Sequence, residues 1–218
     1  MSLVLVVWGN WGQASELPAF IDDSAYRARL AGHRYVVLRP RGEVSTVYTT
    51  VQTAIQARFS DLAISYPAQA HVTLKGFPAG TPLAAVQALV QTWAAEAPPL
   101  QVAVERVTIF PEPFKIVIVQ VRKTVALFHA LVRLRNLAER RTLPDWPTGT
   151  IPRVEEWIFH LSVAYCALLS ATDWSAVASF GENLSIPAAA CSIHEVEITA
   201  FDEGQEYSGG SYPLGQNG

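Results

Sequence analysis

Two histidines share a local pattern. His71 is followed two positions later by Thr73, and His160 by Ser162. In a β-strand, residues i and i+2 leave the same face. Each segment would therefore present one imidazole and one hydroxyl together. Val72 and Leu74, and likewise Phe159, Leu161, Val163 and Tyr165, would face the buried side. An imidazole, with an ordinary pKa near ~6.5, can take or give a proton at neutral pH. A nearby hydroxyl can donate to an anionic oxygen. Two such pairs meeting in one cleft could hold a phosphate between a base and an acid, and that chemistry requires no metal. By the same parity Lys75 joins His71 and Thr73, which makes it a candidate substrate contact. Its counterpart after Ser162 is Ala164.

The elements that must position these residues recur along the chain. Tyr35 to Leu38 is a short apolar run stopped by Pro40 and Gly42, as in a buried strand. Val44, Val47, Tyr48, Val51, Ile55 and Phe59 recur at helical spacing. A strand over 71–77 follows, and then a helix after Pro82 with Leu83, Val86, Leu89, Val90 and Trp93 on one face. Pro98 and Pro99 end that helix. Val102 to Phe110 is a further strand.

The second half repeats this order. Lys115 to Val121 is a strand, Val125, Phe128, Leu131, Val132 and Leu137 stripe a helix, and Trp157 to Cys166 is a strand. Asp173 to Asn183 is a helix, Ile193 to Phe201 a strand, and the tail through Tyr207 and Tyr212 adds another. His71 and His160 are 89 residues apart, and the segments 105–110 and 195–201 are offset by about 90. A near-constant offset over strand, helix and strand indicates internal duplication. The expected fold is α+β: two β-α-β-α-β units in a bilobal arrangement, with helices on one face of each sheet and a cleft between the lobes. Residues 1–34 read as an N-terminal arm or extra strand, residues about 35–112 as lobe one, and about 113–218 as lobe two.

The segments His71-Val72-Thr73-Leu74 and His160-Leu161-Ser162-Val163 resemble the paired His-x-Thr/Ser motifs of the two-histidine (2H) phosphoesterase superfamily. That group includes 2′-5′ RNA ligase-like proteins, RNA 2′,3′-cyclic phosphodiesterases and ADP-ribose cyclic phosphodiesterases. The resemblance runs from about Tyr35 to the C-terminus. It implies a bilobal α+β fold with the active cleft between lobes. It also implies that His71 and His160 are catalytic and that Thr73 and Ser162 bind the phosphate. Ser162 stands where the family often has Thr.

Composition narrows the alternatives. The chain has 218 residues, 16 Lys+Arg against 19 Asp+Glu, and a formal charge of -3. Half of its residues are apolar, which excludes a disordered chain. A negative protein repels phosphates at long range, so gripping a long nucleic-acid backbone is disfavoured. A single cyclic nucleotide phosphate or an RNA terminus remains a suitable partner. The loop from Arg140 to Arg153 carries three prolines and leads into the His160 strand. Within it Arg141, Trp146 and Arg153 are candidates to contact phosphate or stack on a base.

His33, His129 and His194 lack a partner motif. No Cys/His cluster has zinc-ligand spacing, and neither metal nor cofactor is expected. Cys166 and Cys191 read as buried free thiols of a reducing compartment. No apolar run reaches the ~18 residues of a membrane span, and residues 1–8 lack the basic flank of a signal peptide. A cytoplasmic monomer is expected. Two rival readings share the sequence: a module that holds a nucleotide or RNA end without turnover, and an interaction protein whose histidines are incidental.

Overall fold

The computed structural model describes residues 31–67, 69–144, 153–202 and 205–215. The arm expected before the first strand falls, over residues 1–30, outside them.

The first unit comprises β1 (Arg34–Leu38), α1 (Glu43–Arg58), β2 (Val72–Phe77), α2 (Leu83–Glu96) and β3 (Leu100–Phe110). The second comprises β4 (Ile116–Val121), α3 (Val125–Arg140), a 3₁₀ turn (Val154–Glu156), β5 (His160–Tyr165) and α4 (Ala171–Glu182). It ends with β6 (Ala190–Ile193), β7 (Glu195–Asp202) and β8 (Gln205–Pro213).

The strands form two four-stranded antiparallel sheets, ordered β2-β1-β7-β8 and β5-β4-β3-β6. Helices α2 and α3 pack on the first sheet, and α1 and α4 on the second. The α+β class and the paired sheets match the sequence reading.

The sheets do not follow the expected boundary between lobes near residue 112. Strand β3, from the first half, joins the second sheet, while β7 and β8 complete the first. The reason is local. Only five residues separate β3 from β4, and Phe114 N and Lys115 N donate to the Pro111 carbonyl in a tight turn. Strands so closely joined pair as a hairpin. Each sheet therefore draws on both of the expected lobes, about 35–112 and 113–218. The single strand expected over 193–201 also divides. Residues up to Ile193 pair with β3, the strand that starts at Glu195 pairs with β8 and, over Glu197 to Ala200, with β1, and His194 is the crossing point.

Helix α1 buries Val44, Val47, Tyr48, Val51 and Ile55, the stripe read from sequence. Helix α3 is turned from its expected face. Leu127, Ala130, Leu131, Leu134 and Ala138 are buried, whereas Val125 is exposed. The helix starts at a Thr124 cap, whose hydroxyl accepts from Leu127 N. Ala130 then comes close enough to α2 for its carbonyl to accept from the indole N–H of Trp93 at 3.1 Å. Small residues on that face allow the approach. A stripe chosen by side-chain size points elsewhere.

Candidate active site

The two motif strands carry the same irregularity. Across the β1–β2 ladder Val37 faces Thr73 and Val36 faces Lys75, so Leu74 is an extra residue. Across β4–β5 Ile118 faces Ser162 and Val117 faces Ala164, so Val163 is extra. Each is a β-bulge, which re-aims the side chains beyond it. Adjacent residues on β1 point to opposite faces, so Thr73 and Lys75 do as well.

This corrects the parity expectation for Lys75. Its side chain leaves the helical face, where it lines a cavity of about 400 Å³ with Arg135, Asn136, Glu139, Leu143 and Val154. Its ammonium lies 4.9 Å from the centroid of the Phe77 ring. Tyr165 is corrected in the other sense. It sits opposite Ile116, on the face that Ser162 shares with Ile118 and that His160 shares with Gln120. The phenol expected on the core side therefore belongs to the motif face.

Strands β2 and β5 approach each other across the two sheets. His71, Thr73, His160 and Ser162 are all buried. Nδ1 of His160 lies 2.9 Å from the Ile158 carbonyl. A carbonyl only accepts, so Nδ1 carries the proton and Nε2 keeps its lone pair. The Phe110 ring stands edge-on at 4.8 Å between centroids. Burial, partly opposed by the Ile158 carbonyl, pushes the His160 pKa down to about 4. His71 repeats the arrangement, with the Gln69 carbonyl two residues upstream as its acceptor. Its pKa is lowered well below the usual imidazole value, first by burial, then by Arg39, and then by His160. That last effect places the imidazoles within electrostatic reach of each other.

Ser162 Oγ is buried with no well-aligned hydrogen-bond partner among the described residues. The Tyr165 phenol is its neighbour, and burial raises the Tyr165 pKa far above the usual range. An unsatisfied buried hydroxyl is a donor ready for an anionic oxygen.

Arg39 was not singled out by sequence. Its Nε donates to Glu197 Oε2 at 2.9 Å, and its Nη2 to Thr199 Oγ1 at 2.9 Å and to Glu206. Its Nη1 lies 3.4 Å from His71 Nδ1. A signal existed: Arg39 is a charged residue closing an apolar strand, on the alternation of Tyr35 and Val37.

The remaining candidates lie apart from the motifs. Arg141 donates to Thr92 of α2 at 2.8 Å, on the helical side. Arg153 is exposed and pairs with Glu156. Trp146 falls outside the described residues. Cys166 is buried, with its thiol pushed up to about 12 by burial, whereas Cys191 is only half-buried. A cavity of about 690 Å³ runs along Ser45, Thr49 and Thr53 of α1 and includes neither histidine. Among the described residues, no three His, Cys, Asp or Glu side chains cluster as metal ligands. Nor is any described helix long and apolar enough to cross a membrane.

Comparison with solved structures shows the same fold at low identity. The TT0787 protein of Thermus thermophilus superposes with a TM-score of 0.59 at 14% identity, over 84% of this chain and 97% of that one. E. coli LigT in complex with 3′-AMP gives 0.58 at 13% identity, over 84% and 98%. Kluyveromyces marxianus Usb1 gives 0.50 at 12% identity, over 84% and 98%. No curated protein matches the chain in sequence. The family model of the 2′-5′ RNA ligase superfamily matches residues 32–205, which hold both motif strands, both bulges and Arg39. The chain belongs to the 2′-5′ RNA ligase superfamily, within the two-histidine phosphoesterases that its paired motifs resemble.

Proposed function

We propose that this protein is a metal-independent phosphoesterase acting on a cyclic phosphate at a nucleotide or RNA end. The substrate class is a 2′,3′-cyclic phosphate, an ADP-ribose 1″,2″-cyclic phosphate, or a 2′-5′ linkage made or broken by the same chemistry. The observation that carries the reading is the approach of β2 and β5. His71 immediately precedes β2 and His160 opens β5, and each imidazole is followed by a hydroxyl two residues on and a bulge one residue after that. Superfamily membership supports a phosphoesterase or ligase activity of this kind. The structures of LigT with 3′-AMP, ATP and NADP+ support a nucleotide-type ligand.

In hydrolysis one imidazole accepts a proton from water as the water oxygen bonds to phosphorus. The bond from phosphorus to a ribose oxygen breaks, and the other imidazole protonates that oxygen. Thr73 and Ser162 donate to the non-bridging oxygens, where charge must be held. Both motifs come from one chain, which suits action as a monomer. The free thiols suit a reducing, cytoplasmic setting.

The test is turnover of 2′,3′-cyclic AMP in EDTA by the wild type, His71→Ala and His160→Ala. Each substitution is expected to lower kcat by about 10²–10⁴-fold. If 2′,3′-cyclic mononucleotides, ADP-ribose 1″,2″-cyclic phosphate and 2′-5′-linked dinucleotides all stay intact with the wild type, the reading is wrong. Tight nucleotide binding without product, unchanged in both variants, would point to a holding module.

A further inference from the structure

The two imidazoles are alike in strand, bulge and upstream carbonyl, but they differ in the residue across from them. In the second sheet His160 pairs with Gln120, a neutral amide held by Glu105 and Arg106 at 3.2 Å each. In the first sheet Leu38 pairs with Val72. The next position on each strand brings Arg39 against His71, with Nη1 at 3.4 Å from Nδ1. Among the described residues, the charge of Arg39 acts on His71, and no cation is among the causes that shift His160.

Arg39 is held as a fixed charge. Its side chain is 14% exposed. Burial opposes its charge, but the carboxylates of Glu206 and Glu197 more than offset this and raise its pKa. With Nε and Nη2 committed to these groups and to Thr199, the Nη1 edge is the part that faces His71. The Gln69 carbonyl, two residues upstream as Ile158 is for His160, accepts from the His71 ring, and a guanidinium has only donors. Arg39 therefore sets a positive charge within hydrogen-bond distance of Nδ1. A second proton on His71 would set imidazolium against guanidinium.

Two groups act on the charge of His71 directly: Arg39, which immediately follows β1, and His160 of β5. Glu197 of β7 and Glu206 of β8 act through Arg39.

We propose that Arg39 is a positioning residue that keeps His71 uncharged, making His71 the base and His160 the acid in the hydrolytic direction. The words base and acid rest on the phosphoesterase reading; the order in which the histidines take protons does not. In the step, neutral His71 takes a proton from water on its lone-pair nitrogen as the O–P bond forms. The P–O bond to the ribose breaks, and Nε2–H of protonated His160 passes its proton to the departing oxygen. The site ends with His71 protonated and His160 neutral, and exchange with solvent resets it.

The experiment is an NMR titration of the imidazole resonances, assigned with the two His→Ala variants. In the wild type His71 is expected to take its proton at lower pH than His160. Arg39→Gln is expected to raise the His71 midpoint by about one pH unit or more and to move His160 much less. Arg39→Lys, which keeps the charge, restores the low midpoint. In kinetics Arg39→Gln moves the acid limb of kcat/KM to higher pH, and Arg39→Lys brings it back. Equal or reversed wild-type midpoints overturn the proposal, and so does an unmoved His71 in folded Arg39→Gln. The wild-type comparison decides even where Arg39→Gln fails to fold. Absence of turnover would sink the phosphoesterase reading, yet the titration order would still be read.

Discussion

Leu74 and Val163 hold the same place in the two motif strands: each is the extra residue of a β-bulge, three positions after a histidine. The bulge decides which side chains share the face of His71 and His160. It admits Tyr165 and sends Lys75 to the helices.

Thr73 and Lys75 should therefore separate in their effects. Thr73→Val removes a donor from the motif face and is expected to lower kcat by roughly 10²-fold or more. Lys75→Met acts on the helical face and is expected to leave kcat within about threefold while changing the melting temperature. Assay of both variants on a 2′,3′-cyclic mononucleotide checks this. Comparable kcat losses would mean that Lys75 reaches the site.

The bulge at Val163 is pinned from α1. Nε2 of Gln52 donates to the Val163 carbonyl at 3.1 Å, to the Pro67 carbonyl at 2.8 Å and to the Tyr48 hydroxyl at 2.9 Å. Its two protons are shared among three acceptors. Gln52→Leu is expected to cost about 1–3 kcal/mol and to lower kcat more than it raises KM, because Ser162 and Tyr165 lose their fixed aim. Gln87→Leu is the control. It removes a 2.8 Å bond to the Gly209 carbonyl and should cost stability without a comparable loss of kcat. Urea unfolding with steady-state kinetics on both variants makes the comparison.

Acid should destabilise the fold through the site histidines. Burial lowers the His160 pKa in the folded protein to about 4, against ~6.5 in the unfolded chain. A group lowered in this way binds more protons when unfolded. Its stabilising contribution is complete above about pH 6.5 and is lost as pH falls toward about 4. From pH 7 to pH 5 the expected loss is about 2 kcal/mol for His160 alone. His71 is lowered too and acts in the same direction. Urea unfolding at the two pH values should show a smaller drop in His160→Gln than in the wild type.

Binding a phosphate should draw protons into the site. Both imidazoles are held neutral at rest, and an anion between them favours the charged form. Binding of adenosine 2′- or 3′-monophosphate near pH 6 is expected to take up between about half a proton and one proton. Calorimetry in two buffers of different ionisation enthalpy reads this number directly. A value near zero in the wild type, equal to that of His160→Ala, contradicts it.

Much of the site can be read along the chain. The spacing of His71 and Thr73, and of His160 and Ser162, depends only on the period of a strand, so local sequence suffices. The apolar stripe of α1 and the stops at Pro40 and Pro98 are equally local. What tertiary structure decided is everything that depends on pairing. Parity holds only while the ladder is regular, and the bulges at Leu74 and Val163 break it, which reversed the faces of Lys75 and Tyr165. The short β3–β4 turn made a hairpin and exchanged strands between the halves. Arg39 acquires meaning only because β7 and β8 return from the far end of the chain to hold its charge beside His71. Sequence determined which groups carry the chemistry. The long-range strand pairing determined which of them face each other, and thereby their charge.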